Sequence, residues 1–226
     1  MRYAIIVAGG TGTRMNAVIP KQFLKLGGKP MLAWPLGTFH LFDPGIRITV
    51  VLPEDQISRW KELCDEFRIA VPHQVVKGGE TRYQSVKNAL WTLPAEGWTA
   101  VHDGARPLVN ITLVERMFSE AEKYGNAIPV LPIQESVRRV DGKFSIPVNR
   151  DHFAAVQTPQ VFLTETLKRA YLHPFDPSFT DDATVVEKTG EKIHIAEGMA
   201  GNIKITWPAD LIAAEALLPF LSTPKE

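Results

Sequence analysis

The residues best suited to chemistry begin with a glycine-rich loop that follows a short apolar run, Tyr3–Ala8. The loop and its continuation have the sequences Ala8-Gly9-Gly10-Thr11-Gly12-Thr13-Arg14-Met15 and Pro20-Lys21-Gln22-Phe23. Because glycines let backbone N–H groups approach an anion, and Arg14 and Lys21 add two positive charges, the segment suits a triphosphate. It lacks the Lys-Ser/Thr pair of a P-loop after Gly12, and Met15 stands where a dinucleotide fingerprint needs a small residue. Glycines alone would also fit a tight turn between a strand and a helix.

Four further blocks of small, polar and charged residues follow in the chain. They are Gly78–Val86, His102–Pro107, Gln157–Phe162 and Gly201–Thr206. Together with the glycine loop, they make the chain resemble the methylerythritol phosphate cytidylyltransferases of the non-mevalonate isoprenoid pathway. The resemblance extends from Tyr3 to about Leu217.

This resemblance implies a nucleotidyltransferase that transfers CMP from CTP to 2-C-methyl-D-erythritol 4-phosphate. The products are 4-diphosphocytidyl-2-C-methyl-D-erythritol and pyrophosphate, and the implied cofactor is Mg²⁺. Such a transfer needs mainly positioning and charge stabilisation. The chain supplies cations at the family's motifs, which are Arg14, Lys21, Arg82, Arg106, Arg150 and Lys204. A protein without net charge can therefore hold a locally positive cleft.

The resemblance also implies a role for each of these positions. The implied catalytic residues are Arg14, Lys21, Arg150 and Lys204. The implied nucleotide-binding residues are Ala8, Gly9, Gly10, Gly12, Gly79, Glu80, Arg82, Ser85 and Asp103. The implied substrate-binding residues are Arg106, Ser136, Arg150, Thr158 and Lys204. Asp103 is the implied metal ligand, since magnesium takes one or two carboxylates plus phosphate oxygens.

Two of these residues, and the neighbouring His102, also have a plain structural interpretation. Asp103 could cap a turn ahead of Pro107, and Ser85 could lie on a helix surface. His102 is interpreted as structural, because a phosphate dianion is already a nucleophile and needs no general base. Gly201 stands where some family members carry a second acid, so the metal is assigned to Asp103 alone.

The elements that must position these residues alternate between β-rich and helical patterns. Strands are predicted at Tyr3–Ala8, Ile46–Leu52, Gln74–Lys77, Thr99–His102, Ala127–Leu131 and Lys192–Ile195. Helices are predicted at about Met31–Phe42, Asp55–Phe67, Arg82–Leu93, Leu113–Tyr124, Thr164–Leu172 and Ala209–Leu218, with another beginning near Asp181. The pattern predicts an α/β fold, a Rossmann-like, mostly parallel twisted sheet flanked by helices. Ligands of such a sheet bind outside the carboxyl ends of its strands.

One segment departs from this alternation. Asp141-Gly142, between Ser136–Val140 and Lys143–Val148, predicts a two-residue β-hairpin. A lone hairpin is marginally stable in water, so it should pack against another chain or against its own sheet. We expect one domain over residues 1–226 with a dimerisation arm at about 134–152. The resemblance implies a homodimer in which Ser136 and Arg150 complete the other protomer's site.

Composition excludes several other classes of protein. The chain has 25 Lys+Arg and 25 Asp+Glu residues, which argues against nucleic-acid binding. No apolar stretch approaches the roughly 18 residues of a membrane span. The single cysteine, Cys64, allows no internal disulfide, and we expect a cytoplasmic protein. The chain ends after its last predicted helix, which predicts a single activity.

Two other functions remain open at the level of sequence. Ribitol-5-phosphate cytidylyltransferases share these loops and act on another polyol phosphate, although Ser85-Val86 and Ala105 favour the methylerythritol enzymes. A non-catalytic nucleotide-binding subunit is the second alternative. It gives no reason for Arg14, Lys21, Asp103, Arg150 and Lys204 to occur together.

Overall fold

The computed structural model describes residues 1–10 and 19–221. The strands in these ranges are β1 (Arg2–Val7), β2 (Lys25–Leu26), β3 (Lys29–Pro30), β4 (Arg47–Leu52), β5 (Gln74–Lys77), β6 (Trp98–Asp103), β7 (Asn126–Pro132), β8 (Arg138–Asp141), β9 (Phe144–Pro147), β10 (Ala154–Val156), β11 (Gln160–Leu163) and β12 (Ile195–Glu197). The α-helices are α1 (Ala33–Phe42), α2 (Ile57–Glu66), α3 (Arg82–Leu90), α4 (Ile111–Tyr124), α5 (Thr164–Ala170), α6 (Asp182–Glu187) and α7 (Pro208–Leu221). None of the helices in these ranges is long and apolar enough to cross a membrane.

The main sheet has the strand order β10-β7-β11-β6-β1-β4-β5, and β12 pairs with β7. Strands β5, β4, β1 and β6 run parallel to one another, and β12 runs parallel to β7. Strand β11 pairs antiparallel with both β6 and β7, and β10 pairs antiparallel with β7. The α/β prediction is confirmed, with the parallel strands grouped where the glycine loop begins.

The central strand β1 is buried on both faces. Its alternating side chains enter two hydrophobic clusters, with Ile6 in one and Ile5 in the other. The first cluster includes Trp60 of α2 and Phe118 of α4, and the second includes Tyr83 of α3. Each fully buried side chain of this size contributes about 1.5–3 kcal/mol relative to exposure. Helices on both faces therefore hold β1 and the loop after it in place.

Helix α4 shows how local sequence sets the ends of an element. The side chain of Asn110 accepts a hydrogen bond from Leu113 N, which is typical of an N-cap. The helix ends at Gly125, which has a φ of 88°, a conformation that favours glycine. Strand β7 follows at once, so the chain returns directly to the sheet.

The antiparallel part of the sheet departs from the predicted elements. Strand β11 pairs with the beginning of β7, and β10 pairs with its end. Neither is among the predicted strands, because short segments gain their strand structure from partners distant in sequence. The strand predicted at Lys192–Ile195 is wrong in position, since Ile195–Glu197 is the segment that pairs with Ile128–Val130. Pairing with β7 decides this register.

The predicted hairpin is present and forms a separate two-stranded sheet. Strands β8 and β9 pair with each other from Arg138↔Pro147 to Asp141↔Phe144. Three of its large apolar side chains are exposed, Val140 at 73%, Phe144 at 82% and Ile146 at 50%. The hairpin therefore presents an apolar surface to its surroundings.

Candidate active site

A cavity of about 340 Å³ opens at the carboxyl ends of the parallel strands. Val7 at the end of β1 pairs with both Val51 of β4 and Asp103 of β6, which places their ends side by side. The predicted site residues that line the cavity are Ala8, Gly9, Gly10, Lys21, Gly79, Glu80, Arg82, Ser85, Asp103 and Lys204. The parallel sheet thus gathers loops that lie far apart in the chain.

The loop from Gly79 to Ser85 forms one wall and is shaped by side-chain hydrogen bonds. Thr81 caps α3 by accepting a hydrogen bond from Gln84 N at 3.0 Å. The hydroxyl of Ser85 accepts from Gly79 N at 3.1 Å and donates to the carbonyl of Thr81 at 2.9 Å. Ser85 is buried, so its interpretation as a surface serine is wrong. Its hydroxyl fixes the backbone of the loop that faces the cavity.

A cluster of charges surrounds Asp103 on the floor of the cavity. Its carboxylate lies 2.8 Å from Lys204 Nζ, 3.4 Å from Arg82 Nε and 3.7 Å from Arg106 Nε. Burial alone would raise the pKa of Asp103, but Arg82, Lys204 and Arg106 outweigh it and hold the pKa well below its usual range. Asp103 is therefore ionised at neutral pH and lies among three cations.

The turn after β6 is held by a chain of hydrogen bonds through His102. Asp103 N donates to Thr158 Oγ1 at 3.0 Å, and that hydroxyl lies 3.0 Å from His102 Nδ1. His102 Nε2 lies 3.0 Å from the carbonyl of Arg106. Burial lowers the pKa of His102 to about 4, so the ring is neutral at pH 7. One tautomer satisfies every contact: Nε2–H donates to Arg106, and Nδ1 accepts from Thr158.

The segment that carries Lys204 is fastened to the same turn. Ile205 N donates to the carbonyl of Ala105 at 2.8 Å, and Arg106 Nη1 donates to the carbonyl of Asn202 at 2.9 Å. Lys21 Nζ in turn donates to the carbonyl of Ile205 at 3.3 Å. The two lysines predicted to act on phosphate therefore reach the cavity from segments joined by hydrogen bonds.

Several of the predicted residues lie away from this cavity. Thr158 is 4% exposed and its hydroxyl is engaged with His102 and Asp103 N, so it supports the turn. Arg106 contacts Asp103 and does not line the cavity. The substrate contacts of Arg106 and Thr158 stay predictions. Ser136 and Arg150 are exposed beside the hairpin, where Arg150 donates to the carbonyl of Gln134. Arg14 and Gly12 lie outside the described residues.

The cavity also contains residues that sequence reasoning missed. They are Val7, Gln22, Thr81 and Ala105. Gln22 is 2% exposed and donates to Gln56, while its own Oε1 has no hydrogen-bond partner among the described residues. Its place directly after Lys21 is the signal that could have found it. Asn202 was missed as well, although it lies in the Gly201–Thr206 block. Its Nδ2 donates to the carbonyl of Thr158 at 2.8 Å.

The donor set tests whether magnesium would fit. In residues 1–10 and 19–221, no three His, Cys, Asp or Glu side chains gather into a group that could hold a metal ion alone. Asp103 offers one ionised carboxylate at the cavity surface. This suits magnesium when phosphate oxygens supply further ligands, and it does not suit a metal held by protein ligands alone.

Comparison with known proteins decides the family. The family model described as 2-C-methyl-D-erythritol 4-phosphate cytidylyltransferase matches residues 3–219. A relative of that name from Bacteroides thetaiotaomicron is 48% identical over 214 residues, which cover 95% of this chain and 98% of the relative. The chain belongs to the 2-C-methyl-D-erythritol 4-phosphate cytidylyltransferase family. The resemblance predicted from the five sequence blocks is confirmed.

Solved structures of other members of the family have a similar fold. The crystal structure of 2-C-methyl-D-erythritol 4-phosphate cytidylyltransferase from Thermus thermophilus has a TM-score of 0.77 and 32% identity, covering 97% of this chain and 100% of that one. The 4-diphosphocytidyl-2C-methyl-D-erythritol synthase from Anaerococcus prevotii has a TM-score of 0.81 and 27% identity, with 96% of each chain covered. The predicted nucleotidyltransferase fold is confirmed.

Proposed function

We propose that this protein transfers CMP from CTP to 2-C-methyl-D-erythritol 4-phosphate and releases pyrophosphate, as a step in the synthesis of isoprenoid precursors. The observation that carries the proposal is the cavity at the carboxyl edge of the sheet. There, Lys21, Lys204 and two glycine loops converge in a chain that matches the cytidylyltransferase family over residues 3–219. A cavity of about 340 Å³ is at the lower end of the range for small-molecule sites.

The transfer forms one phosphorus–oxygen bond and breaks another. A phosphate oxygen of the acceptor attacks the α-phosphorus of CTP as the bond to the bridging oxygen breaks, and that electron pair leaves with pyrophosphate. No proton needs to be removed from the nucleophile, which agrees with a neutral, buried His102 that takes no part in the chemistry. The chain must hold the two phosphates in line and stabilise the charge that develops.

The cations of the cavity perform that stabilisation. Lys21 and Lys204 would lie against the α-phosphate and the departing pyrophosphate, and Lys204 would hold the attacking phosphate in line. Fixed charges are effective here because they need no reorganisation during the reaction. The loop at Gly79, whose backbone is held by the Ser85 hydroxyl, would face the cytosine. A narrow site there would exclude a purine by size.

Magnesium would complete the site with Asp103 as its protein ligand. When bound, the ion neutralises phosphate charge and orients the triphosphate. The low pKa of Asp103 keeps this carboxylate available as an anion, while Lys204 at 2.8 Å shares it in this structure.

We propose that the active unit is a homodimer formed through the β8–β9 arm. Its support is the exposure of Val140, Phe144 and Ile146 on a hairpin that pairs with no other described strand. Arg150 and Ser136 lie beside this arm, are exposed and do not line the cavity of their own chain, so we assign them to a partner's acceptor site. We place the enzyme in the cytoplasm, since the single cysteine forms no internal disulfide.

The test is pyrophosphate release from CTP and Mg²⁺ with two acceptors offered separately, methylerythritol phosphate and ribitol phosphate. We expect the higher kcat/KM with methylerythritol phosphate. A higher value with ribitol phosphate would keep the reaction and change the acceptor. CTP binding without turnover of either acceptor would contradict the proposal and favour a nucleotide-binding subunit.

A further inference from the structure

A buried acid lies behind the arginine on the wall of the cavity. Arg82 Nη2 is 2.7 Å from an oxygen of Asp182, which is 0% exposed. The Nε atom of the same guanidinium is 3.4 Å from Asp103. Arg82 therefore bridges a carboxylate inside the protein and a carboxylate at the cavity surface.

The second oxygen of Asp182 is also occupied. It accepts a hydrogen bond of 2.6 Å from the hydroxyl of Tyr171, which is buried. Burial raises the pKa of Tyr171 well above its usual range, and Asp182 raises it further, so the hydroxyl keeps its proton and donates. Tyr171, Asp182, Arg82 and Asp103 thus form a continuous polar chain from the core to the cavity.

The backbone around Asp182 is tied to the sheet. The preceding residue, Asp181, caps α6 by accepting from Thr184 N at 2.9 Å. Gln160 of β11 donates to Asp181 at 2.8 Å and accepts from Ala183 N at 3.0 Å. Asp182 is therefore held on a rigid support, from which its carboxylate reaches the guanidinium of Arg82.

A buried ion pair adds little to stability, because desolvation offsets the attraction between the charges. Without Asp182, the guanidinium of Arg82 would be drawn toward Asp103, which already has Lys204 and Arg106 beside it. We propose that Asp182, supported by Tyr171, is a positioning residue that holds Arg82 at the cavity wall, where its guanidinium meets the phosphates of the nucleotide. The proposal rests on the proposed function, because it assigns a nucleotide to this cavity.

The test measures CTP affinity by calorimetry and steady-state constants for both substrates in three variants. Asp182→Asn removes the charge at nearly constant shape, and we expect about tenfold weaker CTP binding and a higher KM for CTP, with the KM for the acceptor changed less than about twofold. Tyr171→Phe should shift CTP affinity in the same direction by a smaller factor. The matched control is Tyr83→Phe, which removes a hydroxyl that donates to the carbonyl of Tyr171 and does not touch Asp182. Its CTP affinity should be unchanged.

A double-variant cycle separates positioning from general loss of structure. If Asp182 acts through Arg82, the pair Arg82→Gln/Asp182→Asn should bind CTP as weakly as Arg82→Gln alone. This double variant also leaves no buried charge unpaired, so we expect it to fold. Thermal unfolding verifies that it does. Multiplying effects in the double variant, or equal losses for both substrates in Asp182→Asn, would overturn the proposal. A wild-type protein that binds CTP and turns over no acceptor would contradict only the proposed function; one that does not bind CTP would overturn both.

Discussion

The ammonium of Lys204 lies 2.8 Å from the carboxylate of Asp103, although β6 ends at Asp103 and Lys204 lies just before the last helix. Each group therefore meets its opposite charge within the chain itself. A triphosphate attracts Lys204, and a divalent ion attracts Asp103, so the substrates compete with a contact inside the site. The opposite charges of the two groups match the two components of a metal–nucleotide complex.

This relationship predicts how activity depends on metal. Asp103→Asn removes the anionic ligand, and we expect the Mg²⁺ concentration for half-maximal activity to rise at least about tenfold. The matched control is Asp176→Asn, which changes a carboxylate that pairs with Lys188. Mg²⁺ titrations of pyrophosphate release check the prediction, and an unchanged titration curve for Asp103→Asn would remove this residue from the metal site.

Lys21→Ala should lower kcat far more than it lowers CTP affinity. Its charge matters most as the α-phosphate becomes pentacoordinate, so we expect kcat to fall by about a hundredfold to a thousandfold, with CTP affinity within about threefold of wild type. Lys25→Ala is the control, because this exposed lysine packs over the ring of Phe67 and does not line the cavity. Single-turnover kinetics separate the two quantities. An unchanged kcat would exclude the proposed role.

Activity should be restored by mixing two inactive variants. Arg150→Ala should mainly impair use of the acceptor, and Lys21→Ala should impair transfer. If Arg150 acts across the dimer, a heterodimer of the two variants contains one site with both residues intact. We expect it to regain part of the wild-type kcat, up to about half by this site count. Absence of recovery in verified heterodimers would show that each site belongs to one chain.

The arm should control assembly. Phe144 is 82% exposed, and Phe144→Asp places a charge in the apolar surface of the hairpin. We expect sedimentation velocity to show a monomer and activity to fall, since a buried unpaired charge disfavours association. Leu41→Asp makes the same chemical change at a residue that is 71% exposed on α1 and should remain dimeric. A dimeric Phe144→Asp protein would place the interface elsewhere.

Stability should fall in mild acid because of His102. Burial lowers its pKa from the usual 6.5 to about 4, so below pH 6.5 the unfolded chain binds a proton that the folded chain does not. The unfolding free energy should therefore lose about 3 kcal/mol from this group as pH falls from 6.5 to 4. Urea titrations at several pH values should show this loss in wild type and less of it in His102→Gln. Parallel curves for the two proteins would contradict the assignment.

The sequence was most informative where local pattern decides structure. Asp103 could be placed at the carboxyl edge of the sheet because a β-rich segment ends there and parallel strands share that edge. The hairpin followed from Asp141-Gly142, which favours one turn type. Such features depend on a few adjacent residues, so no tertiary information was needed to predict them.

Long-range pairing accounts for what was missed. Strand β11 is four residues long and is defined by its partners in β6 and β7. The ion pair of Arg82 with Asp182 joins residues 100 positions apart, and nothing near either residue indicates the other. The contact of the Thr158 hydroxyl with His102 could not be predicted either, because it forms only when β11, which follows Thr158, lies beside β6.

The order of the strands in the chain has a consequence for biosynthesis. During translation, β1, β4, β5 and β6 are made before β11, which later fills the space between β6 and β7. Until then one edge of β6 lacks its neighbour, and an open strand edge attracts other chains. Thr158, Asp182 and Lys204 are synthesised later than Asp103. A nascent chain therefore exposes its central sheet to chaperones or to misassembly at the same stage at which its charge cluster is still incomplete.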